Sequence, residues 1–265
     1  MTKAGAGRTI ETRGHIVGFR EEIRRASERS PGEFFTWFDE ARDPNDAFVR
    51  GAWDFSVHIA QPLAPFLSHP EDKTILEIGH GAGRILASAA RHFRHAVGVD
   101  VHEGNALVLA ELARRGVANV TLHQGDGEGL PLGDGEVDVV YTFIVMQHVE
   151  RIAIFEGYLE HMHRVLKPGG LVMLYFGRLC RFSLERRSPA LYLLDRLAER
   201  VVMARGYREI PAPVNHTNLL VTRPHAARLA RRVGFSVLRR EVSHKRVPDG
   251  TDLYGGQHGL VLRKR

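Results

Sequence analysis

Two kinds of apolar patterning divide this chain. From Lys73 onward, short continuously apolar runs alternate with helical stripes. Thr74–Ile78 reads as a strand, followed by a helix over Gly83–Phe93. Ala96–Val99 is a strand, and Asn105–Arg115 a helix. Val120–His123 and Val137–Phe143 are strands separated by the turn-rich Gly125–Gly135. A helix over Arg151–Leu166, the stop signal Lys167-Pro168-Gly169-Gly170 and a strand Leu171–Phe176 complete the series. Strands apolar along their whole length, with helices between, predict a mostly parallel sheet covered on both faces. The fold class is therefore α/β.

The flanks are patterned differently. Ile16, Phe19 and Ile23 recur at helical spacing, and Phe48, Val49, Ala52, Phe55 and Ile59 form a stripe after the cap signal Asp43-Pro44. Residues 16–72 are expected to be a helical cap packed on the core. Beyond the fifth strand, Ser188-Pro189 opens an amphipathic helix, with Leu191, Leu194, Leu197, Ala198, Val201 and Val202 expected inward. Thr222 caps a helix from Arg223 to Val233, and Gly234 ends it. Phe235–Val242 and Gly259–Arg263 are expected to form a final hairpin around Pro248-Asp249-Gly250, with the last strand antiparallel. Residues 178–221 read as an insertion covering the site, and residues 1–15 as a disordered lead-in without a signal-peptide core.

Composition narrows the class only a little. The 265 residues carry a net charge of +6, mostly as scattered arginines. That balance admits nucleic acid, an anionic membrane surface or an anionic small molecule. No apolar run approaches the roughly 20 residues of a membrane span. Cys180 is the single cysteine, so an intrachain disulfide is excluded and a reducing cytoplasm fits.

The chemistry concentrates at the carboxyl ends of the strands, where sheets of this kind bind ligands. Glu77 ends the first strand, and Gly79, Gly81 and Gly83 follow it into a helix. Glycine lets a ligand lie against backbone. A dinucleotide fingerprint would place its third glycine where Arg84 stands. The acid suits a cationic ligand rather than a phosphate. Asp100, with Val101 beside it, ends the second strand and can accept both hydroxyls of a ribose. Gly125-Asp126-Gly127 follows the third strand and can approach the edge of a flat ring. Thr142 and Phe143 end the fourth, with Gln147 and His148 just beyond. An imidazole there can take a proton at neutral pH, or it can merely bond to backbone.

These residues, in this order, resemble the class I S-adenosylmethionine-dependent methyltransferases, most closely the ubiquinone/menaquinone-biosynthesis type and its small-molecule relatives. The matching pieces are Leu76–Arg84, Val97–Asp100, Gly125–Leu132, Val137–Val140 and Arg164–Gly170. The resemblance implies a Rossmann-like sheet of seven strands and S-adenosylmethionine as cofactor, with S-adenosylhomocysteine as product. It places Glu77, Gly79, His80, Gly81 and Gly83 at the aminoacyl end of the cofactor. Asp100 and Val101 would meet the ribose, Gly125, Asp126 and Gly127 the adenine, and Thr142 and Phe143 the methionine part. Two departures stand out: His80 replaces a small residue, and Gln147 replaces the first of a frequent His-His pair.

The expected activity is methyl transfer to an O or N atom of a small organic acceptor, with His148 as base and Trp53, Gln147 and Tyr192 near the acceptor. Most of the other aromatic residues, Trp37 and Phe38 among them, read as core. An RNA methyltransferase is an alternative on charge, although no RNA-binding module is legible. A nicotinamide oxidoreductase or a non-catalytic cofactor-binding module is the other. No histidine or cysteine spacing suggests a metal. The helix after Ser188 could equally make a homodimer contact.

Overall fold

A computed structural model describes residues 14–38, 41–184, 186–245 and 253–265. Residues 1–13 of the lead-in and the Pro248-Asp249-Gly250 turn lie outside them. Seven strands form one sheet in the order β3-β2-β1-β4-β5-β9-β8. They are β1 (Thr74–Ile78), β2 (His95–Asp100), β3 (Val120–Gln124), β4 (Val137–Thr142), β5 (Leu166–Gly177), β8 (Phe235–Lys245) and β9 (Leu253–Lys264). The chain's last strand, β9, runs antiparallel to both β5 and β8, as expected from a closing hairpin.

The order reverses at β1, which pairs in parallel with β2 on one side and β4 on the other. Ile78 is in register with Val99 and with Thr142, so the ends of three strands meet at one point. Strand periodicity sends Leu76, Ile78 and Val140 into one core, under α7 (Ile152–Val165) and α9 (Arg223–Val233). Ile75, Val139 and Tyr141 enter the other, under α5 (Leu86–His92) and the N-terminal helices.

Those helices are α1 (His15–Arg29), α2 (Pro31–Trp37), α3 (Pro44–Asp54) and the short α4 (Gln61–Leu63). Ser30 and Asp43 cap α2 and α3 by accepting from the N–H groups of Glu33 and Asp46. A π-helical turn, Phe55–Ala60, joins α3 to α4. The turn buries Phe55, His58 and Ile59 on one face. The stripe is narrower than the spacing predicts: Val49 and Ala52 are exposed while Phe48, Phe55 and Ile59 are buried. α6 (Asn105–Arg114) completes the β2-to-β3 crossover.

The insertion holds α8 (Pro189–Val202) and a two-stranded sheet of β6 (Tyr207–Glu209) and β7 (Leu219–Val221) that the sequence did not suggest. α8 forms where expected, with Ser188 as its cap, but faces the opposite way. Leu193, Leu194, Leu197, Val201 and Val202 are exposed, and Asp195 and Glu199 are buried. Polar groups beneath the helix reverse it, because they give Asp195 and Glu199 partners that water would otherwise supply.

Candidate active site

The turn after β1 is built from residues that only glycine can replace. Gly79, Gly81 and Gly83 all have positive φ. A Cβ on Gly79 would stand 2.2 Å from Val145 Cγ2. The Gly79 N–H donates to the Val99 carbonyl at 2.7 Å, tying the turn to β2. The Gly81 N–H donates to Asp100 Oδ2 at 2.7 Å, and the Val101 N–H to Asp100 Oδ1 at 2.7 Å. Burial works against the Asp100 charge, but His102, His80 and these two N–H groups outweigh it and hold the carboxyl below its usual range.

Glu77 has the opposite balance. It is buried, and its Oε2 accepts from the Tyr141 hydroxyl at 2.8 Å. Burial pushes its pKa up to about 8, opposed by the Tyr141 bond and by Arg84. Arg84 is itself committed to Asp54 of α3. Asp54 also lies 3.2 Å from His58 Nδ1, and the His58 ring stacks on Phe143, 4.3 Å between centroids. The N-terminal helices thereby brace the glycine turn and the end of β4 together.

His80 turns inward. Its Nδ1–H donates to the Gly81 carbonyl at 2.9 Å, and its ring packs on Gly98, where a Cβ would meet it at 2.8 Å. Burial, opposed by Asp100, lowers its pKa to about 4. His102 accepts the Gly104 N–H on Nδ1 and donates from Nε2 to the same Gly81 carbonyl. His80, Asp100 and His102 cluster closely, but these backbone bonds use both His102 nitrogens. The cluster supports the turn.

Above the turn is an open cavity of about 1230 Å³, counting its solvent-filled mouth. Its floor includes Glu77, Gly79, His80, Gly81, Asp100, Val101, Gly125, Gly127 and Phe143. Asp126 stands exposed at the rim, where its Oδ1 accepts the N–H groups of Glu128 and Gly129 and closes its own turn. Thr142 is fully buried behind Phe143, and Gly83 lies at the start of the helical turn behind the cavity.

The outer wall comes from segments whose helical spacing predicts core. Ile16, Phe19 and Ile23 of α1, and Trp37 and Phe38, line the cavity. Arg20 clamps α1 across it, donating to the carbonyls of Val101 and Gly125 at 2.9 and 3.0 Å. Trp53 stands behind this wall, edge-on to His58 and outside the cavity lining. Tyr192, on α8, also lies outside it, stacked on Tyr254.

His148 lines the acceptor end. Its Nδ1 lies 2.7 Å from the His216 carbonyl, which can only accept, so Nδ1 carries the proton. Nε2 is then the free-pair nitrogen, and Gln147 Nε2 donates to it at 3.1 Å. The Gln147 side chain thus touches the imidazole, while the Gln147 backbone carbonyl accepts from the N–H groups of Asn218 and Leu219 and anchors β7. Glu150, Tyr158 and Asn215 also line the cavity, Tyr158 near Asp126 and Asp100. Ile144, also lining it, has φ 60°, rare for a β-branched residue, and its N–H donates to Gln257 Oε1. Long-range contacts bring in Arg20, His102, Ile144 and Asn215, and no local motif announces them.

The residues present fit an amino-acid nucleoside better than a dinucleotide. A buried carboxyl that gains its charge from an incoming ammonium sits beside a ribose-accepting aspartate. A pyrophosphate would meet both acids without a compensating cation, since Arg84 is paired. S-adenosylmethionine carries the ammonium and the ribose that such a site demands.

The chain is similar to known methyltransferases. The family described as "Methyltransferase domain" matches residues 75–170. The ubiquinone biosynthesis O-methyltransferase of Ruegeria pomeroyi is 29% identical over 193 residues, 73% of this chain and 69% of that protein. The ubiquinone/menaquinone biosynthesis C-methyltransferase of Rubrivivax gelatinosus is 34% identical over 119 residues, 45% of this chain and 41% of that protein. Among solved structures, the 1,6-didemethyltoxoflavin-N1-methyltransferase of Burkholderia thailandensis superposes with a TM-score of 0.61 at 17% identity, covering 98% of this chain and 92% of that one. The ordered motifs, the sheet and these matches support a class I S-adenosylmethionine-dependent methyltransferase, similar to the ubiquinone-biosynthesis group.

Proposed function

We propose that this chain moves a methyl group to an O or N atom of a small organic acceptor held between the glycine turn, α1 and the loop at Asn215. The observation that carries the reading is His148. Its Nδ1–H is pinned by a backbone carbonyl, which turns a basic Nε2 toward Gln147 at the cavity wall. The cofactor supplies an already activated methyl group, so the chain needs no covalent intermediate. Its own work is alignment, exclusion of water and removal of one proton.

Glu77 and Asp100 bind and orient, and Phe143 backs the methionine end. Nε2 of His148 accepts the proton of an O–H or N–H acceptor once Gln147 yields its hydrogen bond. The developing imidazolium is stabilised by the His216 carbonyl. Phe19, Trp37 and Phe38 supply an apolar wall suited to a ring. Among the described residues lining the cavity there is no lysine, and the arginine there, Arg84, is paired with Asp54, which favours a neutral or cationic acceptor over an anionic one. α1 and the loop close over the site, which suits a small molecule better than an RNA. Residues 16–72 and 178–221 act as covers on the domain of residues 73–265, and the lone Cys180 suits the cytoplasm.

The test is transfer of labelled methyl from S-adenosylmethionine to a panel of phenols and amines, in the native chain and in His148→Ala. Turnover should fall roughly 100-fold with cofactor affinity nearly unchanged. A small effect on turnover removes the base role. Filter binding of RNA that weakens steeply with salt would favour the polymer reading instead.

A further inference from the structure

α8 is held to the protein by its charged side. Asp195 accepts from the N–H groups of Arg181, Phe182 and Ser183, each at 3.0 Å, and from the Ser183 hydroxyl. Arg178, fully buried, approaches it at 3.4 Å. Glu199 accepts from the Leu179 N–H and lies 2.8 Å from His258 Nε2. The opposite face is apolar and turned to solvent. Val201 is 81% exposed, Leu193 59%, Leu194 49% and Leu197 48%, and Phe182 from the preceding loop adds 46%. A contiguous stripe of this kind has a partner.

Charge identifies that partner. Six arginines surround the stripe, all exposed: Arg181, Arg186 and Arg187 before the helix, Arg200 on its flank, Arg205 and Arg208 after it. Among the described residues of 178–208, the acids are Asp195 and Glu199, and both face inward. A two-fold dimer through this face would set arginine against arginine with no acid among the described residues of the face to receive it, since such an interface must be complementary to itself. RNA would match the arginines but gain nothing from leucine and valine, which do not stack on bases. An anionic bilayer surface offers acyl chains to the stripe and phosphates to its rim.

We propose that α8, with Phe182 and its flanking arginines, is an interfacial helix that seats this protein on anionic lipid surfaces. No helix among the described residues is long and apolar enough to cross a membrane, so the seat is peripheral. The inference concerns a surface outside the cavity, and it stands or falls independently of the acceptor.

Co-sedimentation of the full chain with phosphatidylcholine vesicles, with and without phosphatidylglycerol, tests it. Binding should be roughly tenfold or more stronger on the anionic vesicles and should weaken with salt. Leu197→Asp with Val201→Asp should reduce it roughly tenfold, as should Arg200→Glu with Arg205→Glu. Both variants alter outward side chains, so their circular dichroism and S-adenosylhomocysteine affinity should match the native chain. Absent or equal binding on the two vesicle types overturns the proposal. So does binding that both variants retain. A solution dimer dissolved by Leu197→Asp with Val201→Asp, without vesicle binding, assigns the face to a second copy instead.

Discussion

Glu77 and Asp195 are both buried carboxylates, and the protein treats them in opposite ways. Asp195 meets three backbone N–H groups, a serine hydroxyl and an arginine. Burial works against its charge, but those partners win and hold its pKa below the usual range. Glu77 meets fewer donors, the Tyr141 hydroxyl and the Leu86 N–H, and burial carries its pKa up to about 8. The satisfied acid fixes a helix in place. The less compensated acid lines the cavity, where an incoming ammonium would complete its shell. A buried charge whose partners are all present is architecture, and one left short of partners marks a binding site.

The contrast can be broken from either side. The largest effect is expected at Asp195. Asp195→Ala strips Arg178 of its carboxylate and leaves several buried N–H groups unpaired, costing about 3–5 kcal/mol. Urea unfolding should show that loss, and a loss below about 1 kcal/mol would mean that α8 is held some other way.

Glu77→Gln should do the reverse. Its affinity for S-adenosylmethionine should drop roughly 10- to 100-fold by calorimetry, as a charge-assisted contact is lost. The melting temperature of the cofactor-free protein should hold or rise, because a desolvated acid has been removed.

The pH dependence sharpens the same point. The folded value of Glu77, about 8, lies above the ordinary 4.5, so the native state binds more protons between them. Its contribution to stability is therefore full below pH 4.5 and is lost as pH rises through 8. Cofactor binding expels that proton. Affinity should thus tighten as pH rises toward 8, by up to about tenfold per pH unit, and Glu77→Gln should flatten the profile. An unchanged slope in the variant would place the titrating group elsewhere.

A smaller effect is expected from Arg20→Ala. It removes two hydrogen bonds that clamp α1 over the cavity, worth about 1–3 kcal/mol of local closure. S-adenosylhomocysteine should leave faster in stopped-flow measurements while global stability changes little.

Legibility in the sequence followed locality. The strands, the glycine turn and Asp100 were readable because each depends on residues a few positions apart. Apolar runs specify strands, positive φ demands glycine, and an acid at a strand end has one place to go. The same rule misread α8. Its period of apolar residues is right, yet the face that turns inward is decided by Arg178, Ser183 and His258, which lie elsewhere in the chain. Trp37, Phe38 and Trp53 show the same limit: all three recur at helical spacing, but only a three-dimensional wall separates cavity from core.

The amino-acid sequence by itself determined an α/β sheet, its antiparallel last strand and the cofactor that its turn accepts. These follow from short-range sterics and from hydrophobic period. Tertiary structure alone decided that α1 and Arg20 close the site, that His148 is held in one tautomer by a carbonyl from a distant loop, and that α8 shows its apolar side to the outside. Each of those depends on which polar groups find partners across the fold, and such partners are chosen by space rather than by spacing.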